Sequence, residues 1–302
     1  MTSSLHPNSL HPKPSTPADP ATASAPVPAT APVAGSLPVP ASTAASASGT
    51  GSRLAGRTAV ITGSTSGIGE ATARLLAAEG AQVVVSGRQE SRGRRIVEEI
   101  ERAGGRADFV PADLSGGYEE LRAFAARVTE VLGGRVDILV NNAGVYPATS
   151  TEDLPDSDLD TMLAVNIRAP HVLVAALAPA MAERGGGAIV TIGSWMARLG
   201  TSYAAMYSAT KAADEQLTRS WAAEYGPRGV RVNAVAPGAT LTPGNERARA
   251  ELDAMTATTP AGVVVRPDDI AKGVLYLAGD DAAMVHGITL YVDGGMTATR
   301  AA

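Results

Sequence analysis

Residues 58–69 read TAVITGSTSGIG, and the fold follows from how this stretch is built. Thr58–Ile61 is a short β-branched and aliphatic run of the kind that forms a buried strand. Gly63 stops it, and residues 68–79 then carry apolar side chains at helical spacing up to Gly80. A glycine-rich turn between a strand and a helix lets backbone N–H groups approach an anion, while the helix amino terminus adds partial positive charge. Gly63, Gly67 and Gly69 are spaced G-x-x-x-G-x-G rather than G-x-G-x-x-G. No Gly-Lys-Ser/Thr follows, which argues against a nucleotide-hydrolase loop. The turn is expected to hold a pyrophosphate, with Ser64, Ser66 and Ile68 completing it; an ordinary tight turn is the bland alternative.

Outward from this turn the same alternation continues. Residues 82–86, 106–111, 138–141, 188–193, 231–236 and 288–292 read as strands, and residues 92–103, 118–132, 158–181, 207–225 and 268–278 as helices. Fully apolar strands alternating with helices predict a parallel sheet covered on both faces. Right-handed crossovers then give a single doubly wound, Rossmann-type α/β domain with a seven-stranded parallel sheet. Ligands in such a fold sit beyond the carboxyl ends of the strands, where all the motifs described below fall.

This domain is expected over residues 53–302. Residues 1–52 are Ala, Pro, Ser and Thr with little else, and carry full charge only at Lys13 and Asp19. That composition predicts a disordered tail. The net charge of -5 shows no basic stripe, which argues against a nucleic-acid partner. The chain has no cysteine, so disulfides, thiolate metal sites and a cysteine nucleophile are excluded. Of four histidines, His6 and His11 lie in the tail and His171 and His286 are far apart, so no metal site is expected. No uninterrupted apolar run has membrane-spanning length and no secretory signal is evident; a soluble cytoplasmic protein without a membrane partner is the expectation.

Three further patterns carry chemistry. The second strand ends in Ser86-Gly87-Arg88, where an acid would hold a ribose 2′-hydroxyl and a guanidinium would hold a 2′-phosphate. Arg88 therefore favours NADP(H) over NAD(H), although Glu90 stands close by. Tyr207 and Lys211 lie four residues apart on a predicted helix, hence on one face and about 6 Å apart along its axis. An ammonium there favours the phenolate of Tyr207, as a general acid/base requires. Ser194 follows the fifth strand, placed to hydrogen-bond a substrate oxygen beside that phenol. A Tyr/Lys pair alone is common on helix surfaces.

Taken together, these residues resemble the short-chain dehydrogenase/reductase family over residues 53 to about 300. The resemblance rests on TGSTSGIG at 62–69, Asp113-Leu114, NNAG at 141–144, Asn166, Ser194, YSATK at 207–211, Pro237-Gly238 and DGG at 293–295. It implies hydride transfer between NAD(P)(H) and a carbonyl or secondary alcohol. Tyr207 would be the general acid/base and Ser194 would orient the carbonyl. Lys211 would hold the nicotinamide ribose, and Asn166 would anchor a proton-relaying water. Asp113 and Leu114 would meet the adenine, with Asn141 and Ala143 along the cofactor. Pro237, Gly238, Thr240 and Thr242 would face the nicotinamide end.

Tyr146, Trp195, Met196 and Tyr203 are candidates for the substrate pocket wall, or equally for packing. Residues 240–266 take the place of a substrate lid and are expected to form a short helix with a charged, solvated face. The pattern is similar to the branch that includes 3-oxoacyl-carrier-protein reductases, and a homotetramer is implied. An isomerase or dehydratase on this fold, or a non-catalytic NADP(H)-sensing protein, remain the alternatives. The complete set Asn166, Ser194, Tyr207 and Lys211 favours the enzyme.

Overall fold

The computed structural model describes residues 52–299. All but the last residue of the expected amino-terminal tail lies outside them. Strand β1 (Thr58–Ile61) leads through the glycine turn into α1 (Gly67–Ala78), followed by β2 (Gln82–Gly87), α2 (Glu90–Arg102), β3 (Arg106–Pro111), α3 (Tyr118–Val131) and β4 (Ile138–Asn141). The second half runs α4 (Asp156–Leu163), α5 (Ala169–Glu183), β5 (Gly187–Ile192), α6 (Ala205–Tyr225), β6 (Val230–Pro237), α7 (Arg249–Thr256), α8 (Pro267–Ala278) and β7 (Thr289–Val292).

The seven strands form one parallel sheet in the order β3-β2-β1-β4-β5-β6-β7. Alternation within each strand sorts the core into two layers. Ile61, Val83, Val85, Ile138, Val140 and Val190 point to the face covered by α1, α2 and α8, against Leu76, Ile96 and Ile270. Val60, Val84, Leu139, Ile189 and Val232 point the other way, onto α3, α5 and α6, against Leu121, Leu173, Met181 and Trp221. The order of strands reverses between β1 and β4. The loops leaving these two neighbours run to opposite faces and leave a crevice at their carboxyl ends.

One expected element divides. The helix anticipated over residues 158–181 is α4 and α5 joined by a five-residue π-helical turn, Ala164–Arg168. Pro170 explains the change: it has no N–H to close the usual bond onto the carbonyl of Asn166, so the ladder widens here.

No apolar run is uninterrupted over membrane-spanning length, yet one helical stretch passes for a span by its average composition. The continuous helical stretch 156–183 is long and apolar enough by length and composition, an 18-residue window of it reaching a mean hydropathy of 1.4. Its apolar side chains, among them Val172, Leu173, Leu177 and Met181, are buried in the second core layer.

Candidate active site

The crevice holds two cavities that share Asn142 and Gly144 as lining residues. The first, of about 300 Å³, lies over the glycine turn. Its walls include Gly63 and Ser66 from that turn, Arg88 after β2, Asp113 and Leu114 after β3, and Ala143 after β4. Gly63 has a left-handed φ of 63°, and a Cβ there would stand 2.9 Å from the Cα of Ala143. The two loops touch across the strand reversal only because that methyl group is absent. Asn142 fixes them further, its Nδ2 donating to the carbonyls of Thr62 at 2.8 Å and Gly63 at 3.1 Å.

Asp113 accepts bonds from the hydroxyl (2.7 Å) and N–H (3.0 Å) of Ser115. These bonds, with the charge of Arg88, hold its carboxyl below the usual carboxylate range although burial opposes them. Arg88 is exposed and pairs with no carboxylate among the described residues. Glu90, the nearby acid, is instead engaged by Arg94 at 2.6 Å on the outer face of α2.

Two residues expected at the cofactor point elsewhere. Ser64 is buried: its hydroxyl donates to the carbonyl of Ile61 at 2.7 Å and accepts from the N–H of Ser86 at 2.9 Å. It ties β1 to β2 and does not line either cavity. Asn141, at the end of β4, is buried with neither amide atom hydrogen-bonded among the described residues, and it also lines neither cavity. Gly69 packs under the turn, where a Cβ would collide with the Asn142 amide.

The second cavity, of about 360 Å³, gathers Ser194, Tyr207 and Lys211 with the four expected pocket residues Tyr146, Trp195, Met196 and Tyr203. Ile68, Pro237, Gly238, Thr240 and Thr242 also line it. Ser194 closes β5 and caps the short turn Trp195–Ala197, its hydroxyl accepting from the N–H of Met196 at 3.2 Å. Tyr207 stands in the first turn of α6, which begins after Ala204, the one non-glycine residue of positive φ among those described. Its ring meets Tyr146 edge-on at 4.5 Å, and the Lys211 ammonium lies 5.9 Å from its centre.

Lys211 is buried, donating to the carbonyl of Ile192 at 2.8 Å and to Asp214 Oδ2 at 3.0 Å. Burial alone would push its pKa down; the charges of Asp214 and Tyr207 outweigh that and hold it up. Asn166, in the π-helical turn, clasps Val145 through both amide atoms: Oδ1 accepts its N–H at 2.9 Å, and Nδ2 donates to its carbonyl at 3.1 Å. The same Nδ2 reaches Thr210 Oγ1 at 3.1 Å. The backbone carbonyl of Asn166 has no α-helical donor, because residue 170 is proline.

Several contributors had not been singled out from sequence. Thr65 and Ser115 line the first cavity, and Asn245, Leu252 and Met255 bring the expected lid helix, α7, to the second. Asn142 both ties the loops together and lines both cavities. Asp214 is the residue whose signal was readable: it stands three positions after Lys211, hence on the same helix face. Asp137, before β4, ties that strand to β1, accepting from the N–H of Thr58 at 3.0 Å.

A glycine turn whose backbone opens on a groove, a free guanidinium at one end and a tyrosine–lysine–serine cluster at the other fit an extended dinucleotide and a reacting carbon beside it. Comparison with known proteins agrees. Residues 63–297 match the family model described as enoyl-(acyl carrier protein) reductase, in keeping with the acyl-carrier-protein reductase branch. The 3β-hydroxysteroid dehydrogenase 1 of Eggerthella lenta is 39% identical over 249 residues, 81% of this chain and 95% of that protein. A short-chain dehydrogenase of Burkholderia cenocepacia, solved in complex with NADP, shares 38% identity and a TM-score of 0.75, covering 82% of this chain and 100% of that one. A 7α-hydroxysteroid dehydrogenase, solved with NADH and 7-oxo glycochenodeoxycholic acid, shares 36% identity at a TM-score of 0.75 over 81% of this chain and 96% of that one. The chain belongs to the short-chain dehydrogenase/reductase family of oxidoreductases.

Proposed function

We propose that this protein transfers a hydride between NADP(H) and a small-molecule carbonyl or secondary alcohol, with Tyr207 as general acid/base. The observation that carries this reading is the meeting of Ser194, Tyr207 and Lys211 in one cavity that adjoins the groove over the glycine turn.

The nicotinamide cofactor, when bound, supplies or takes up the hydride. In the reducing direction the hydroxyl of Tyr207 gives its proton to the substrate oxygen, and Ser194 donates a hydrogen bond to that same oxygen. In the oxidising direction Tyr207 takes the alcohol proton. Lys211 holds positive charge beside the phenol in both directions and carries a third N–H, beyond the two it gives Ile192 and Asp214, toward the nicotinamide ribose. The Asn166 carbonyl holds a water through which protons return to solvent. Gly63 and Ser66 offer the pyrophosphate close backbone, and Asp113 accepts from the adenine amino group.

NADP(H) is preferred over NAD(H) on charge grounds. Arg88 faces the groove without a carboxylate partner, and Glu90, which would repel a 2′-phosphate, is drawn away by Arg94. A homotetramer is part of the same reading, supported by the exposed apolar side chains of Tyr276 and Ile288 around the edge strand β7.

The test is a calorimetric titration with NADPH and NADH, on the wild type and on Tyr207→Phe. NADPH should bind at least about tenfold more tightly, the weight of one charge-assisted hydrogen bond. Tyr207→Phe should keep that affinity while losing about 100-fold or more in kcat, as removal of a general acid/base does. Binding of neither nucleotide refutes the reading, and tighter NADH binding refutes the role of Arg88.

A further inference from the structure

Helix α6 buries two opposite charges one turn beyond the phenol. Lys211 and Asp214 are 5% and 1% exposed, and Nζ and Oδ2 stand 3.0 Å apart. The other carboxylate oxygen, Oδ1, is buried with no hydrogen-bond partner among the described residues. A charge so placed costs stability, because neither water nor a second donor solvates it. Lys211 has the complementary difficulty. Its ammonium is cut off from water and must stay protonated to favour the phenolate of Tyr207.

Among the described residues, the surroundings offer no other anion for this purpose. From β5 the ammonium meets the carbonyl of Ile192. From the loop after β4 it faces Gly144, where a Cβ would lie 3.8 Å from Nζ, with the neutral amide of Asn166 beside it. The titratable groups that act on Lys211 are Asp214 and Tyr207, both on α6, and the one that acts on Asp214 is Lys211.

We propose that Asp214 is a positioning residue: it is the built-in counter-ion that keeps Lys211 protonated and fixed in its buried place beside the phenol, throughout the pH range in which the site works. This inference rests on the oxidoreductase reading for its catalytic meaning, though not for its electrostatics. Asp214 touches neither phenol nor substrate; it acts through the ammonium alone. Direction supports the assignment. Asp214 holds Lys211 above its ordinary value although burial opposes it, while burial pushes the carboxyl of Asp214 itself upward.

Two readouts test it. Without its counter-ion, a buried lysine loses its proton more easily. In Asp214→Asn, kcat/KM for alcohol oxidation, the direction in which Tyr207 acts as the base, should therefore acquire a decline of about tenfold between about pH 7 and pH 9.5 that the wild type lacks. Asp214→Glu, which keeps the charge, should restore the wild-type profile.

The second readout needs neither cofactor nor turnover: thermal unfolding of the nucleotide-free protein between about pH 7 and pH 10. In Asp214→Asn the folded chain binds fewer protons at Lys211 than the unfolded chain, so its stability rises with pH across this window. In the wild type the raised pKa of Lys211 keeps its contribution level until higher pH. The Tm of Asp214→Asn minus that of the wild type should thus climb with pH, and the climb should vanish when both carry Lys211→Met. A pH-independent difference, or a climb that survives Lys211→Met, overturns the proposal. An inactive wild type that still shows the Lys211-dependent climb would refute the enzymatic reading and leave the ion pair established.

Discussion

Three phenols surround the second cavity, and their environments separate their roles. Tyr146 is pushed up to about 12, first by burial and then by its neighbours Tyr203 and Tyr207. Its hydroxyl therefore resists deprotonation and is expected to serve as a hydrogen-bond donor rather than as a proton carrier. Tyr146→Phe should raise KM by about twofold to tenfold, the weight of one neutral hydrogen bond, and leave the pH dependence of kcat unmoved up to about pH 10. Steady-state kinetics across pH would check this; a shifted profile would make Tyr146, rather than Tyr207, the proton carrier. At this scale the spaced motifs named the loops that build the crevice and most, though not all, of the side chains that line it. Tyr207, Lys211, Ser194 and Arg88 all face the crevice, and the four pocket candidates line it. Ser64 and Asn141 were misplaced because a motif says which loop a residue is in, not which way its side chain turns. Ser64 turns inward because the N–H of Ser86 needs an acceptor where β1 meets β2.

Among the elements, the π-helical turn between α4 and α5 has the clearest mechanical consequence. It frees the Asn166 carbonyl from its α-helical donor and leaves the Asn166 amide to hold Val145. Pro170→Ala would restore an N–H that competes for that carbonyl. The variant should unfold at the same temperature as the wild type or higher, yet lose severalfold in kcat; differential scanning calorimetry beside kinetics would show the two moving apart. Unchanged kcat would argue against a role for the carbonyl. The break was written in the sequence as a proline, but the apolar periodicity running through it masked the change. Periodicity reports which face is buried, and that face is continuous across the turn. The same property explains how a core helix can pass for a membrane span by composition.

For the molecule as a whole, alternation within short strands was sufficient to fix the class of sheet, and the glycine turn fixed where its ligand site opens. Boundaries differ by one or two residues because the ends of helices are settled by caps rather than by apolar pattern. Among the described residues, both core layers are filled from Leu54 onward, and Leu54 is itself anchored by its N–H to the carbonyl of Glu79 at 2.8 Å. A chain beginning at Ser52 is accordingly expected to keep the Tm and the NADPH affinity of the full chain, which calorimetry on both would decide; a lower Tm would place part of the fold upstream. The meeting of Gly63 with Ala143 reaches beyond either loop. The two positions are eighty residues apart in the chain, yet they share a single space too small for two side chains. Shrinking one loop cannot make room for the other, because the close contact includes the Cα of Ala143 itself: in a library randomised at both sites, survivors should keep glycine at 63 whatever small residue stands at 143.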